Sequence, residues 1–342
     1  MFFTFDGQKM LRDMKTGEEL LMGTYYHLVL SGTSPTPVTG KMREYIFNVT
    51  VWLDIDSRNN LVKLTHYPVA PARERSNGTL KIMTYNIWNF NPDWKQRLVR
   101  ITDEVKEAKP DIVAFQEVRY RYLDESGQRG TFQVEELSQK LGPQYQFYYQ
   151  HSMTYLDRRS FHEDEGNAIF SLHPIRETDF IRMSRDLADG EDDHQRIVTR
   201  VLVETPHVGN VNMHSTHLSL STESRRRTVQ ELWKYLQKQM ERHECPQVIV
   251  GDMNAEPDDI FIRFLTGKES IKGEKGSMID TWEYLYPSEK GYTFPTYGPP
   301  MKRIDFVLFR GLLNPVSAKI LSKPASKALM SSDHLPLMVQ FS

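Results

Sequence analysis

Residues 81–117 read KIMTYNIWNFNPDWKQRLVRITDEVKEAKPDIVAFQE and predict a strand, a helix and a second strand in succession. The segment 81–86 is a short β-prone run, and the apolar segment that begins at Asp111 is another. Pro110 ends the helix between them, because its ring does not fit in a helix interior. The helix face is marked by apolar residues that recur every three or four positions: Trp94, Leu98, Ile101, Val105 and Ala108.

The same alternation of strand-like and helix-like segments continues towards the C-terminus. A second helix face consists of Val229, Leu232, Trp233, Leu236 and Met240. Further strands are expected at 167–171, 197–203, 210–214, 247–251, 304–309 and 337–341. Many strands with only a few long helices predict a layered α/β or α+β domain.

The first 79 residues differ in pattern from the rest of the chain. Aromatic and β-branched runs at 25–30 and 45–53 predict strands, and the segment 31–37 between them is rich in turn-forming residues. Residues 68–78 have the composition of a linker. We therefore predict a β-rich N-terminal extension with its linker over 1–79 and one larger domain over 80–342; nothing in the extension indicates its role.

Composition limits the class of protein. The 342 residues carry 43 Lys and Arg against 45 Asp and Glu, a net charge of −2, which excludes binding to nucleic acid mainly through bulk electrostatics. No apolar run approaches the roughly 20 residues needed to cross a bilayer. The single cysteine, Cys245, forbids an intramolecular disulfide and a cysteine-based zinc cluster. With no visible signal peptide, these features favour a soluble, intracellular protein, and a secreted protein is the alternative.

Polar side chains fall where nearly every expected strand begins or ends. Each alone is typical of a turn or a helix cap, but the same placement on many strands indicates a site at one edge of the sheets. The residues are Asn86, Glu117, His217, Asp252, Asn254, Asp305, Asp333 and His334.

The residue types indicate phosphate chemistry. Carboxylate and amide oxygens are hard ligands that suit Mg²⁺ or Mn²⁺ rather than zinc, and neither a His-Glu-x-x-His motif nor a Walker glycine loop is present. A divalent cation held by carboxylates neutralises phosphate oxygens. An Asp beside a His can orient an attacking water, and donors such as Asn254 and His217 can stabilise charge on the phosphorus. The set predicts metal-assisted hydrolysis of a phosphoester.

Seven ordered motifs also resemble a known family. They are 81–87 (KIMTYNI), 110–118 (PDIVAFQEV), 166–171 (GNAIFS), 215–219 (STHLS), 250–257 (VGDMNAEP), 302–307 (KRIDFV) and 332–337 (SDHLPL). In this order they resemble the endonuclease/exonuclease/phosphatase superfamily with the deoxyribonuclease-I-like fold, over roughly residues 80–342. The resemblance implies a metal-dependent phosphoesterase catalytic domain. It also implies two packed mixed β-sheets flanked by helices, a four-layer α/β/β/α sandwich, in agreement with the α/β reading above.

The resemblance further implies the metal ligands. Asn86 and Glu117 would bind Mg²⁺ (or Mn²⁺), with Glu117 as the principal ligand and Asp333 as a further metal or phosphate-site residue. Some family members place an Asp two residues after the first Asn, where this chain has Trp88, so the contact that such an Asp makes is not carried over.

Catalytic roles follow from the same resemblance. Asp252 would orient or deprotonate the attacking water, and Asn254 would hold the scissile phosphate. His334 would face that phosphate, steered by Asp305, and His217 would contact the phosphate or donate a proton. Which histidine is the acid and which the base does not follow from the sequence.

Arginines near the motifs favour nucleic acid as the substrate. Arg119 and Arg121 alternate with tyrosines just after Glu117, and Arg225 and Arg226 follow His217. The alternative for the second pair is the solvated first turn of a helix. We also predict Asn167, in the third motif, to bind substrate.

Two other functions are kept open. The stretch 291–300 (GYTFPTYGPP) is similar to the corresponding part of neutral sphingomyelinases, which makes a sphingomyelinase-like or other phospholipid phosphodiesterase that recognises a lipid head group the alternative. A non-catalytic binding module on the same fold is the third hypothesis. The leading prediction is a Mg²⁺-dependent phosphodiesterase acting on DNA or RNA.

Overall fold

The computed structural model of the chain describes residues 78–121, 130–156, 162–321 and 330–342, together with six strands between residues 3 and 68. Its internal contacts divide the chain into two units, Met1–Ala70 and Pro71–Ser342.

The first unit contains two antiparallel three-stranded sheets. Their strands are β1 (Phe3–Phe5), β2 (Met10–Asp13), β3 (Glu19–Leu21), β4 (Leu28–Val38), β5 (Lys41–Ile55) and β6 (Leu61–Pro68). The strands predicted at 25–30 and 45–53 overlap β4 and β5. The turn expected at 31–37 is wrong, because these residues pair along their whole length with β5. Most of the predicted linker, 69–77, lies outside the described residues, and the predicted extension over 1–79 stays a prediction.

The second unit contains twelve strands and five helices in the part of the chain described. The strands are β7 (Leu80–Asn86), β8 (Ile112–Arg121), β9 (Gln146–Leu156), β10 (His162–Ser171), β11 (Ile175–Arg182), β12 (Ile197–Thr205), β13 (Gly209–His217), β14 (Gln247–Asp252), β15 (Ile279–Asp280), β16 (Asp305–Arg310), β17 (Pro315–Ile320) and β18 (Leu337–Phe341). The helices are α1 (Trp94–Ala108), α2 (Gln133–Leu141), α3 (Thr222–Arg242), α4 (Ile260–Leu265) and α5 (Thr281–Leu285). Within these ranges, no helix combines the length and the apolar character needed to cross a membrane.

The strands form two six-stranded mixed sheets. The first has the order β17-β18-β7-β8-β10-β9, and the second has the order β11-β12-β13-β14-β16-β15. In each sheet one neighbouring pair is parallel, β7 with β8 and β13 with β14, and the remaining pairs are antiparallel. Helices α3 and α4 pack their apolar side chains against the second sheet. The predicted fold of two mixed sheets flanked by helices is confirmed.

Helix α1 shows how local sequence sets the element boundaries. Its buried face includes Trp94, Leu98, Ile101 and Val105, which is the face predicted from their spacing. The helix ends where Lys109 adopts a left-handed conformation and donates its N–H to the carbonyl of Val105. The chain then enters β8, parallel to β7, so that Asn86 and Gln116 become register partners at the same edge of the sheet.

A buried histidine on β13 makes the free energy of unfolding depend on pH. His214 is fully buried with Nε2 hydrogen-bonded to Gln247, and burial, with the nearby charge of Arg200, lowers its pKa to about 3. Below the ordinary histidine pKa of about 6.5 the unfolded chain takes up a proton that the folded protein does not. The contribution of neutral His214 to the free energy of unfolding is therefore fully present above that pH. It is lost progressively as the pH falls from about 6.5 towards 3.

We expect this one histidine to remove about 1 kcal/mol of unfolding free energy between pH 7 and 5.5. Urea denaturation at both pH values measures it, with His214→Gln as the matched variant. The difference between the two pH values should shrink by that amount in His214→Gln, even if the variant is less stable at both. An unchanged difference would contradict the prediction.

Candidate active site

Polar residues from both sheets line one cavity of about 520 Å³. It opens where β13 and β14 of the second sheet end and beside the middle of β8 in the first sheet, so the strand end expected at Glu117 is wrong: β8 continues to Arg121. Eight of the residues predicted from the sequence line it: Glu117, Arg119, His217, Arg225, Asp252, Asn254, Asp333 and His334. Asn86 and Asp305 do not line the cavity but hydrogen-bond to residues that do.

Asp252 is at the centre of this network. Its Oδ2 accepts a hydrogen bond from Asn86 Nδ2 at 3.1 Å and lies 3.4 Å from His217 Nε2 and 3.5 Å from His334 Nε2. Its Oδ1 accepts the backbone N–H of Asn254 at 2.8 Å. Burial raises the pKa of Asp252 to about 6, opposed in part by the charge of His334. One buried carboxylate thus lies beside two imidazoles.

The register of the second sheet places these groups together. His217 and Asp252 are partners across the parallel pair β13 and β14. Gly251, just before Asp252, has φ 139°, and a Cβ there would lie 1.8 Å from the carbonyl oxygen of Thr216. Only glycine allows the strands to approach this closely beside the site. Asn254 has φ 47°, and its Nδ2 donates to the carbonyl of Leu218 at 2.9 Å, which fixes the side chain.

His334 and Asp305 form a buried pair. Nδ1 of His334 lies 2.9 Å from Oδ2 of Asp305, and Phe294 packs with its ring 4.8 Å from the imidazole. Burial alone would lower the pKa of His334, but the charges of Asp305 and Asp252 raise it to about 10. In contrast, burial lowers the pKa of His217 well below its ordinary value, and the charge of Arg196 adds to the effect.

Glu117 reaches the cavity because β8 contains a bulge. Val118 pairs with Gly166 and Phe115 with Ala168, so Gln116 and Glu117 together oppose the single residue Asn167. Glu117 has φ 57°, a left-handed conformation that is uncommon for this residue type. Such local strain is often found at functional sites.

The Glu117 carboxylate accepts two amide hydrogen bonds, from Asn86 Nδ2 at 3.0 Å and from Asn89 Nδ2 at 2.6 Å. Burial raises its pKa, and the charge of Glu165 adds to the effect. Burial likewise raises the pKa of Asp333 to about 6, with a contribution from the charge of Glu117. Within the described ranges, no Lys or Arg forms an ion pair with Glu117 or Asp333.

The donor set fits a divalent cation. Glu117 and Asp333 are carboxylates that line the same cavity and destabilise each other's charge, which a hard cation between them would relieve. A second set is also able to hold a metal ion: Asp252, Asp305 and His334 each offer one ligand atom within 4.8 Å of the others. In the second set, however, the imidazole already lies between the two carboxylates, with Nδ1 2.9 Å from Asp305 Oδ2 and Nε2 3.5 Å from Asp252 Oδ2.

The four predicted substrate arginines occupy different environments. Arg119 lines the cavity, but its Nε donates to Glu165 at 2.8 Å and its Nη1 to Glu163 at 3.1 Å. Arg121 does not line the cavity, and it pairs with Glu163 at 2.6 Å. Arg225 lines the cavity while its Nη1 donates to two backbone carbonyls.

Arg226, the fourth of these arginines, and the predicted substrate residue Asn167 also lie away from the cavity lining. Arg226 lies in the early turns of α3 with Glu223 3.7 Å away, so the helical alternative describes its position. Asn167 is buried opposite the β8 bulge. Contact of either residue with substrate stays a prediction.

Sequence reasoning missed several cavity residues. Asn89 lies three positions after Asn86 and Lys302 begins the motif 302–307, so both could have been found. Glu165 immediately precedes the third motif. His194 and Arg196 lie in a connection with no periodic signal. The missed residues are Asn89, Glu165, His194, Arg196, Phe294 and Lys302.

Known proteins resemble the chain in fold. An endonuclease/exonuclease/phosphatase from Bacteroides vulgatus is 19% identical with a TM-score of 0.58, covering 77% of this chain and 98% of its own. The human Nocturnin catalytic domain with bound sulfate anion is 22% identical with a TM-score of 0.58, covering 78% and 94%. A mannosyl-6-phosphatase from Bacteroides thetaiotaomicron is 18% identical with a TM-score of 0.58, covering 77% and 99%. At these identities the likeness establishes the fold alone.

No curated protein matches the chain. The family model described as the Endonuclease/Exonuclease/phosphatase family matches residues 83–334. That range begins within β7 and ends at His334, and it includes every residue of the network around Asp252. The chain therefore belongs to the Endonuclease/Exonuclease/phosphatase family.

Proposed function

We propose that this protein is a metal-dependent phosphoester hydrolase. The observation that carries the proposal is the position of Asp252, whose Oδ2 lies within 3.5 Å of both His217 and His334 and accepts a hydrogen bond from Asn86. Asn86 also donates to Glu117, so the network joins a general base to the carboxylate that we assign to the metal. If these residues served only in turns or as helix caps, β7, β8, β13 and β14 would not need to bring their side chains together.

In the proposed reaction, Asp252 orients a water molecule and takes its proton as the water oxygen attacks phosphorus. The bond from phosphorus to the leaving oxygen breaks, and that oxygen takes a proton from His334, whose Nδ1 is fixed by Asp305. Asn254 donates its remaining Nδ2 hydrogen to a phosphate oxygen. His217, held neutral by its environment, contacts the phosphate.

Asn86, Glu117 and Asp333 would hold Mg²⁺ or Mn²⁺. When bound, the ion would neutralise charge on phosphate oxygens. The support comes from the carboxylates of Glu117 and Asp333, which line one cavity and form no ion pair with Lys or Arg in the described ranges, and from Asn86, which is hydrogen-bonded to Glu117.

Nucleic acid is the first substrate candidate, because Arg119 and Arg225 line the cavity. The ion pairs of Arg119 and Arg121 with Glu163 and Glu165 reduce their attraction for a polyanion. The lipid alternative is favoured by a different observation. Leu220, 66% exposed, lines the cavity, and Met301, also 66% exposed, precedes the cavity-lining Lys302.

One assay tests both the reaction and the substrate class. The full chain is incubated with single-stranded DNA, double-stranded DNA, RNA, sphingomyelin, phosphoinositides and a sugar 6-phosphate, with and without Mg²⁺. We expect hydrolysis of a nucleic acid that requires Mg²⁺ or Mn²⁺ and is lost in excess chelator. His334→Ala, which removes the proposed proton donor, is the control for a contaminating enzyme.

Full activity in excess chelator would refute the metal-dependent mechanism. Turnover of lipid or of the sugar phosphate alone would replace the nuclease assignment and leave the reaction class intact. No turnover of any member of the panel would favour the non-catalytic alternative.

A further inference from the structure

Arg196 is a buried cation at the cavity that the reaction described above does not use. It lies immediately before β12 in the second sheet, is 8% exposed and lines the cavity. Its backbone carbonyl accepts from Met183 N–H and from Gln195 Nε2, both at 3.0 Å. Two hydrogen bonds to one carbonyl oxygen therefore fix the backbone that carries the guanidinium.

The guanidinium of Arg196 has no local partner. Its Nε is buried without a hydrogen bond, and across the described part of the chain no carboxylate forms an ion pair with Arg196. The other two cavity arginines are anchored through their other nitrogens or their partners: Arg119 is bonded to Glu165, and Arg225, whose Nε is also unpartnered, donates its Nη1 to two backbone carbonyls. A buried cation without a partner is costly, so such a group usually has a ligand.

The surroundings of Arg196 keep it charged and face it towards the reaction centre. Burial lowers its pKa, and the attraction of Glu165, Glu117 and Asp252 opposes this effect. An arginine remains protonated at neutral pH. Its positive charge also acts on His217, which lines the same cavity.

We propose that the Arg196 guanidinium, which forms no ion pair in the described part of the chain, binds a non-bridging oxygen of the substrate phosphate. Arg196 belongs to the second sheet and Glu117 to the first, so the phosphate would lie between this cation and the proposed metal ligands. A guanidinium presents planar donors that match phosphate oxygens. The inference rests on the proposed phosphoester hydrolysis for its substrate, and it adds a specific phosphate-binding residue to that site.

Binding of inorganic phosphate tests the proposal without turnover. The probe is titrated into the full-length protein in Mg²⁺, with affinity followed by calorimetry and by the phosphate-dependent rise in melting temperature. We expect Arg196→Gln to weaken phosphate binding about tenfold or more, and Arg196→Lys, which keeps the charge but not the planar donors, to weaken it less. Arg176→Gln is the matched control, because Arg176 is exposed on β11 and pairs with Glu204.

Further measurements separate phosphate binding from a merely structural role. Mn²⁺ affinity should not fall in Arg196→Gln, since the loss of a nearby positive charge can only favour the cation; this excludes a damaged metal site as the cause. A structural role would lower the melting temperature without phosphate and preserve the rise that phosphate produces; the proposal predicts that the rise is lost. Acetate in place of phosphate should give little rise in the wild-type protein.

The outcomes distinguish this inference from the proposed function. Phosphate binding that depends on Arg196, in a protein that hydrolyses no phosphoester, would support the inference and contradict the function. Hydrolysis by the wild-type protein, with unchanged phosphate affinity and rate in Arg196→Gln, would overturn the inference alone. A wild-type protein that binds phosphate no better than acetate would also overturn it.

Discussion

Asp252→Asn should lower the rate of hydrolysis by about a thousandfold, because it replaces the proposed general base with a neutral amide. The amide has almost the same volume as the carboxylate, and its oxygen can still accept from the N–H of Asn254. Its NH₂ group, however, would take the place of Oδ2, where Asn86 Nδ2 now donates. We expect kcat to fall while KM changes little, measured on whichever substrate the panel identifies.

Asp258→Asn is the control for this substitution. Asp258 is exposed on the same loop, six positions after Asp252, and its side chain has no assigned part in the site. Its activity should stay within about twofold of the wild type, as expected of an exposed surface position. If Asp252→Asn retained more than a tenth of the activity while remaining folded, Asp252 would not be the base.

Much of the site could be predicted because strand ends are visible in the sequence. Apolar runs place Asn86, Asp252 and Asp305 at strand boundaries, and sheet pairing then makes Asp252 and Asp305 direct register partners. Local pattern and the order of motifs were sufficient for these residues. The helix α1 was likewise predictable, since one apolar face determines both its period and its length.

The orientation of Glu117 could not be predicted in the same way. A bulge depends on the register between β8 and β10, which are separated by α2 and β9, and no residue within 110–118 specifies it. The ion pairs of Arg119 are equally non-local, because Glu163 and Glu165 lie 44 and 46 residues further along the chain. A short stretch of sequence around Arg119 and Arg121 therefore contains none of the carboxylates with which the fold pairs these arginines.

These pairings change how the net charge of −2 should be interpreted. Arg119 and Arg121 form ion pairs with Glu163 and Glu165 of β10, so their positive charges contribute little attraction for a polyanion at the surface. Attraction for phosphate would instead come from inside the cavity, from the proposed metal and from Arg196. For the proposed nucleic-acid substrate, binding would then depend on the scissile phosphate inside the cavity more than on the phosphates that flank it.

Glu117→Gln should weaken Mn²⁺ binding by at least about tenfold and lower hydrolysis at fixed Mg²⁺ by about a hundredfold or more. The carboxylate now accepts two amide N–H groups, from Asn86 and Asn89, and a glutamine NH₂ would oppose one of them. Raised Mg²⁺ should restore part of the rate, which a lost general base would not allow. Metal titration followed by Mn²⁺ paramagnetic resonance measures affinity independently of turnover.

Glu165→Gln is the matched comparison for Glu117→Gln, because both glutamates line the cavity and the substitutions remove the same charge. Glu165 raises the pKa of Glu117 through its charge, so its loss should change Mn²⁺ affinity by only a few-fold, as expected of a charge that does not bind the ion. Equal losses in the two variants would mean that overall charge, not ligation by Glu117, retains the metal. A larger loss in Glu165→Gln would move the metal ligand from β8 to β10. The expected outcome is a larger loss in Glu117→Gln than in Glu165→Gln. The β8 bulge supports it, because it orients Glu117 towards the amide donors of Asn86 and Asn89.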